Sequence, residues 1–163
     1  MNAADILRWF RDSSYGELVR DVYWLFSALE IVHFMALCVL FGAILVIDLR
    51  VLGFNRRMPQ DVILQFIRVA LIAFVFAFAS GLGFFCSAPL DYWPNPSFRI
   101  KMLLIVAAGV NAVWFAVMAR RAGAAASDVP APIGARISAG LSLVLWLGVI
   151  VLGRLLPYTG TSQ

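Results

Sequence analysis

The sequence predicts an all-α integral membrane protein, a four-helix bundle prefaced by a short interfacial amphipathic helix. Three observations lead there. The 163 residues are 63% hydrophobic and 13% charged, with a mean hydropathy of +0.90, against about 25% charged in a soluble domain. The apolar residues fall into four runs long enough to cross a bilayer. The charges gather where those runs end. A soluble domain of this size buries only about two-thirds of the surface its unfolded chain exposes, too little to hide so many apolar side chains. A disulfide scaffold, a disordered tail and a soluble nucleic-acid binder are thereby excluded. The net charge of +4 and pI near 9.6 belong to loops and lipid headgroups, because the bases lie between the apolar runs. The partner they imply is the lipid bilayer, not nucleic acid.

The elements follow in order within one domain, 1–163. Over about 3–20, Ile6, Leu7, Trp9 and Phe10 alternate with Asp5, Arg8, Arg11 and Asp12. That mixture suits a helix lying in the membrane interface, with a frayed tail as the alternative. The same charges interrupt any signal-peptide core. The four spans are expected over about 24–47, 66–88, 100–120 and 136–155. Roughly 20 residues at 1.5 Å each cross a ~30 Å hydrocarbon core. A membrane barrel would instead show short alternating segments. Pro59 and Asp61 start the second helix, Pro89, Pro94 and Pro96 break the chain after it, a loop runs from Ala124 to Pro132, and Pro157 with Gly160 ends the last helix. The doublets Arg56-Arg57 and Arg120-Arg121 abut span ends and favour those loops inside. Both termini are then expected to be periplasmic.

Inside the spans, polar groups are rare and therefore informative. Glu30 and His33, the only histidine, lie three residues apart on one helix face, roughly 9–14 Å from Trp24. An ionisable group there costs about 2.5–3.5 kcal/mol on insertion scales and marks a functional site unless it serves packing. Asn111, Ser138, Ser142, Gly81 and Gly83 read as helix-packing residues. Asp48 and Arg50 read as an anchor at the inner boundary of the first span, with Arg50 snorkelling. Cys38 and Cys86 have neither haem-attachment nor zinc spacing and read as small buried hydrophobes.

The chemistry available to Glu30 and His33 narrows by ligand count. A di-iron bundle needs two Glu-x-x-His motifs and further carboxylates, but the chain has two Glu in all. Zinc needs three or four ligands. Copper would have to recruit sulfur from Met35, Met102, Cys38 or Cys86. Haem needs one imidazole, so His33 is the expected metal ligand for a b-type haem, with Glu30 as its partner. Arg99, Lys101 and Arg154 would hold the propionates, and Met102 could fill a sixth position. A quinone site would use His33 for a carbonyl and Glu30 for its proton, among Phe26, Tyr92, Trp93 and Phe98. No catalytic residue is assigned.

The string also carries a resemblance. Glu30-Ile31-Val32-His33, then Gly42, then Asp48-Leu49-Arg50-Val51-Leu52-Gly53, resembles an uncharacterised family of bacterial four-helix inner-membrane proteins. Pro96-Ser97-Phe98-Arg99-Ile100-Lys101-Met102 and Leu145-Trp146 through Gly153-Arg154 fit the same family. The resemblance implies the fold and a bacterial inner membrane. A His early in the first span also resembles, at different downstream spacing, HemJ-type protoporphyrinogen oxidases, which bind haem through that His, and copper-resistance D proteins. The expectation is a small redox-linked inner-membrane protein with haem b at His33. The alternative is a non-catalytic subunit that binds quinone or lipid or anchors a periplasmic redox partner. A homodimer or membership of a larger membrane redox complex would suit either.

Overall fold

A computed structural model describes residues 2–54, 58–121 and 131–159. Arg56, Arg57, most of the expected loop at 124–132, and Gly160 lie outside the described residues, as do the side chains of Arg120 and Arg121. The expected periplasmic placement of both termini rests on those doublets.

The described chain is a set of helices: α1 (Ala3–Arg11), α2 (Ser14–Asp21), α3 (Leu25–Leu52), α4 (Gln60–Ser87), α5 (Pro89–Tyr92), α6 (Pro96–Arg121) and α7 (Ile133–Thr159). Four of them, α3, α4, α6 and α7, are long and apolar enough to cross a membrane. They outrun the expected spans. At 28 residues, α3 extends about 42 Å, the thickness of a bilayer with its headgroups rather than of its hydrocarbon alone. Hydropathy marks where the apolar run stops, whereas the helix stops where its backbone is capped. For α3 that cap is Gly53, whose φ of 105° few other residues adopt. Its N–H and that of Phe54 both reach the Leu49 carbonyl, at 3.1 and 3.0 Å. Likewise Pro157 sits inside α7, which continues to Thr159.

The N-terminal segment differs from expectation in a second way. Instead of one helix it forms two, because Ser13 starts a new one: its hydroxyl accepts the Gly16 N–H at 3.2 Å. Both helices pack against the bundle, α1 on α5 and α4, and α2 on α4 and α3. Gly16 permits this approach, since a Cβ there would stand 2.7 Å from the carbonyl oxygens of Arg11 and Cys86. Arg20 donates from Nη1 to those same two carbonyls, at 2.7 and 3.4 Å. Its charge thus sits at the ends of α1 and α4, where unpaired carbonyls concentrate negative charge. Tyr15 donates to Ala79 O at 3.2 Å. An aromatic train, Phe10 to Phe85 to Phe98 to Tyr92, with centroids 5.5–5.7 Å apart, runs from α1 through α4 and α6 to α5.

Within the membrane-spanning part, α3 packs on α4, α6 on α7, and α3 on α7. The α3–α4 seam is narrow because small side chains line it: Ala36 and Ala43 from one helix, Ala73, Ala77 and Ser80 from the other, all buried. Polar pairs stitch α6 to α7. Near mid-span, Asn111 Nδ2 donates to Ser138 O at 3.0 Å and Ser138 Oγ donates back to Asn111 Oδ1 at 2.9 Å, as the mid-span amide led one to expect. At the other end, Asn95 accepts the Ser97 N–H at the start of α6 (2.9 Å) and donates to Leu156 O in the last turn of α7 (3.1 Å). Thr159 Oγ1 lies 2.8 Å from Ser97 Oγ, closing the junction.

Asn111→Ala leaves the Ser138 hydroxyl and carbonyl without these partners. It should lower the stability of the micelle-embedded protein by about 0.6–1.7 kcal/mol, read from detergent-induced unfolding; no change would mean the pair adds nothing to α6–α7 docking.

Candidate functional site

The expected site residues lie at the end of the bundle where α3 and α6 begin and α7 finishes. His33 is two turns into α3, about 12 Å along the axis from Leu25, and half-buried. Its Nδ1 is 2.9 Å from Ser80 Oγ on α4. The Ser80 hydroxyl in turn lies 2.6 Å from the Phe76 carbonyl, a geometry that commits its single proton there. Ser80 Oγ must therefore accept from the ring. The network assigns the proton to Nδ1 and leaves Nε2 with its lone pair. Ser80, rather than Glu30, thus orients the ring.

The surroundings of the ring come from α3 and α4, with a lysine of α6 within electrostatic reach. Gly81 of α4 faces the ring, where a Cβ would stand 3.3 Å from His33 Cε1. Phe84 meets it edge-on at 5.4 Å, and Phe34 flanks it at 6.4 Å. Lys101 of α6, half-buried, is close enough to His33 for their charges to interact. Its ammonium rests against Gly153 of α7, 3.3 Å from where a Cβ would be. A larger residue at 153 would push the lysine away.

Glu30 lies on the exposed surface of α3 and acts toward Tyr92 on α5. Burial holds the Tyr92 phenol above its ordinary value, and the Asp91 and Glu30 carboxylates add to the rise. Arg99, Arg154 and Met102 are exposed at the same end. Of the five companions expected for His33, the structure turns Lys101 inward beside it. Arg99 is two residues from Lys101 and so faces another way. Among the described residues no three His, Cys, Asp or Glu side chains group as metal ligands, so a metal here would rely on His33 within a preassembled cofactor.

Several contributors were missed in the sequence. Ser80 is a lone hydroxyl in an apolar run, and Gly153 lacks a local signal because its role is to make room for Lys101. Asp48, expected at the boundary, is instead inside the bundle and 8% exposed. Cys38 is exposed, contrary to expectation, whereas Cys86 is buried.

These features define a class: a polytopic α-helical membrane protein with a histidine–lysine site sunk into one end of its bundle. The chain belongs to DUF6644, a family of unknown function, which matches residues 7–159. That agrees with the resemblance to an uncharacterised membrane family. No curated protein and no solved structure matches the chain.

With a single histidine, 15N-histidine labelling gives one pair of ring nitrogens. Near neutral pH the spectrum should show a protonated Nδ1 and an unprotonated Nε2, and Ser80→Ala should mix the tautomers; a protonated Nε2 in the unaltered protein would refute the assignment. The Tyr92 phenol should ionise above the ordinary tyrosine range. Glu30→Gln should lower that value part of the way, as followed by phenolate absorbance against Tyr92→Phe.

Proposed function

We propose that this chain is a small redox-linked protein of the bacterial inner membrane that binds a b-type haem through His33. Both termini lie on the periplasmic side in this reading. The observation that carries it is the Nδ1–Ser80 hydrogen bond of 2.9 Å. A ligating histidine donates its other ring N–H to a neighbouring acceptor, which fixes ring orientation and raises the basicity of the free nitrogen. His33 has that arrangement, and one imidazole suffices for a haem. When bound, the haem supplies one-electron chemistry. The chain's own residues would hold it: His33 would present Nε2, Ser80 would keep the ring from turning, and Lys101 would offer a cation for a propionate. Arg99 and Arg154 are further cations at that end, Met102 stands one residue from Lys101, and Glu30 balances their charge.

The purified protein, as isolated or after addition of hemin, should show a Soret band that His33→Ala abolishes. Ser80→Ala should weaken haem affinity about 10–100-fold. A colourless, iron-free preparation that takes up no hemin overturns this reading.

A second reading is favoured by the convergence of Lys101 and His33: a non-catalytic subunit that binds quinone or an anionic lipid headgroup, or anchors a periplasmic redox partner. The ammonium can donate to a quinone carbonyl while Nε2 accepts a proton. This reading requires no chromophore, quinone retention lost in Lys101→Met, and co-purification with larger membrane proteins.

A further inference from the structure

The opposite end of the bundle holds a second ionisable group that the haem or quinone reading does not use. Asp48 lies one turn before the end of α3 and is 8% exposed. It is the only buried carboxyl among the described residues. The Ser142 hydroxyl of α7 lies near its carboxyl, while Oδ2 has no hydrogen-bond partner among the described residues.

Among the described residues of α3, α4 and α7 toward this end, the charged groups are engaged or exposed. On α3, Arg50 donates from Nε to Met58 O at 3.1 Å. On α7, Arg136 is exposed, and on α4 so are Asp61 and Arg68. One turn beyond Asp48, a cleft of about 280 Å³ opens between Leu52 and Ile133, Arg136 and Ile137.

We infer that Asp48 and Ser142 form a proton-binding site at the end of the bundle opposite His33. The orphaned oxygen is the reason. An ionised carboxylate in an apolar interior needs its oxygens paired with donors or a cation, and a buried charge without them takes up a proton instead. A metal cation such as sodium would want several oxygens, and this site offers one carboxyl and one hydroxyl. A proton needs one. Uptake is balanced simply: the carboxylate and a hydronium from the cleft give the carboxylic acid and water, and release is the reverse. Ser142 donates to one carboxyl oxygen, and the bound proton occupies the other.

Infrared spectroscopy of the full-length protein in micelles tests this directly. At mildly acidic pH the protein should show a protonated-carboxyl C=O band that shifts in heavy water and disappears in Asp48→Asn, whose amide keeps the side chain's shape. Ser142→Ala retains the acid but removes its hydroxyl partner and should move the band to higher frequency. That variant decides the question if Asp48→Asn fails to fold. An unaltered band in either variant overturns the proposal. So does a band that appears only when sodium is replaced by choline, which would identify a cation site. Soret absorbance is expected to be unchanged in Ser142→Ala, so a failure here is separable from a failure of the haem reading.

Discussion

In a bilayer interior no water stands ready to satisfy a polar group, so each one must find its partner within the protein. That constraint organises this bundle. Apolar packing alone does not choose which helices meet, because lipid tails are as apolar as the side chains that face them. The selective contacts are polar or close-packed. Asn111 with Ser138 fixes α6 against α7 near mid-span, and Asn95 with Leu156 and Ser97 fixes them again at one end. His33 with Ser80 does the same for α3 and α4, where Ala36, Ala43, Ala73 and Ala77 let the backbones close. Asp48 of α3 lies near Ser142 of α7. The α3–α4 and α6–α7 pairings thus each carry at least one polar contact.

The four membrane-crossing helices were legible because their signal is long: some twenty apolar residues between charges have one reading. Their ends were not, since Gly53 and Asn95 cap the helices beyond the apolar limits. The break at Ser13 was hidden for a similar reason. A serine between two amphipathic stretches is compatible with one helix, and the division is fixed by contacts of Gly16 and Arg20 with residues some seventy positions away. Of the candidate site, Glu30 and His33 stood out as ionisable groups in an apolar run. That Lys101 faces inward while Arg99 does not depends on helix rotation, which spacing gives only relatively. Asp48 was misread because its position near a span end resembles that of a headgroup anchor. What distinguishes it is Ser142, nearly a hundred residues later.

The connectivity has a consequence for the histidine site. Contacts between long-helix backbones run α4 to α3 to α7 to α6. Across the remaining side, α4 and α6 touch through the stacked rings of Phe85 and Phe98, 5.5 Å apart. His33 sits on the α3–α4 pair and Lys101 on the α6–α7 pair, so the two groups of the site belong to opposite halves of the bundle. A ligand that engages both must bridge those halves. Its binding energy would then also stabilise the side held least by backbone packing.

The ends of the bundle divide the polar work unequally. Around His33, Ser80 holds one nitrogen, Gly81 stands against the ring, and Gly153 makes room for the Lys101 side chain. Around Asp48 the support is a single hydroxyl beside a cleft, enough for a proton and too little for a bulky ligand. The α3 helix is the element common to both. Its 28 residues carry Glu30, His33 and Asp48 on one rigid rod, with about 22 Å of axis between the histidine and the aspartate. A rotation of α3 that improved one site would disturb the other, so the register set by Ala36 and Ala43 against α4 constrains both at once.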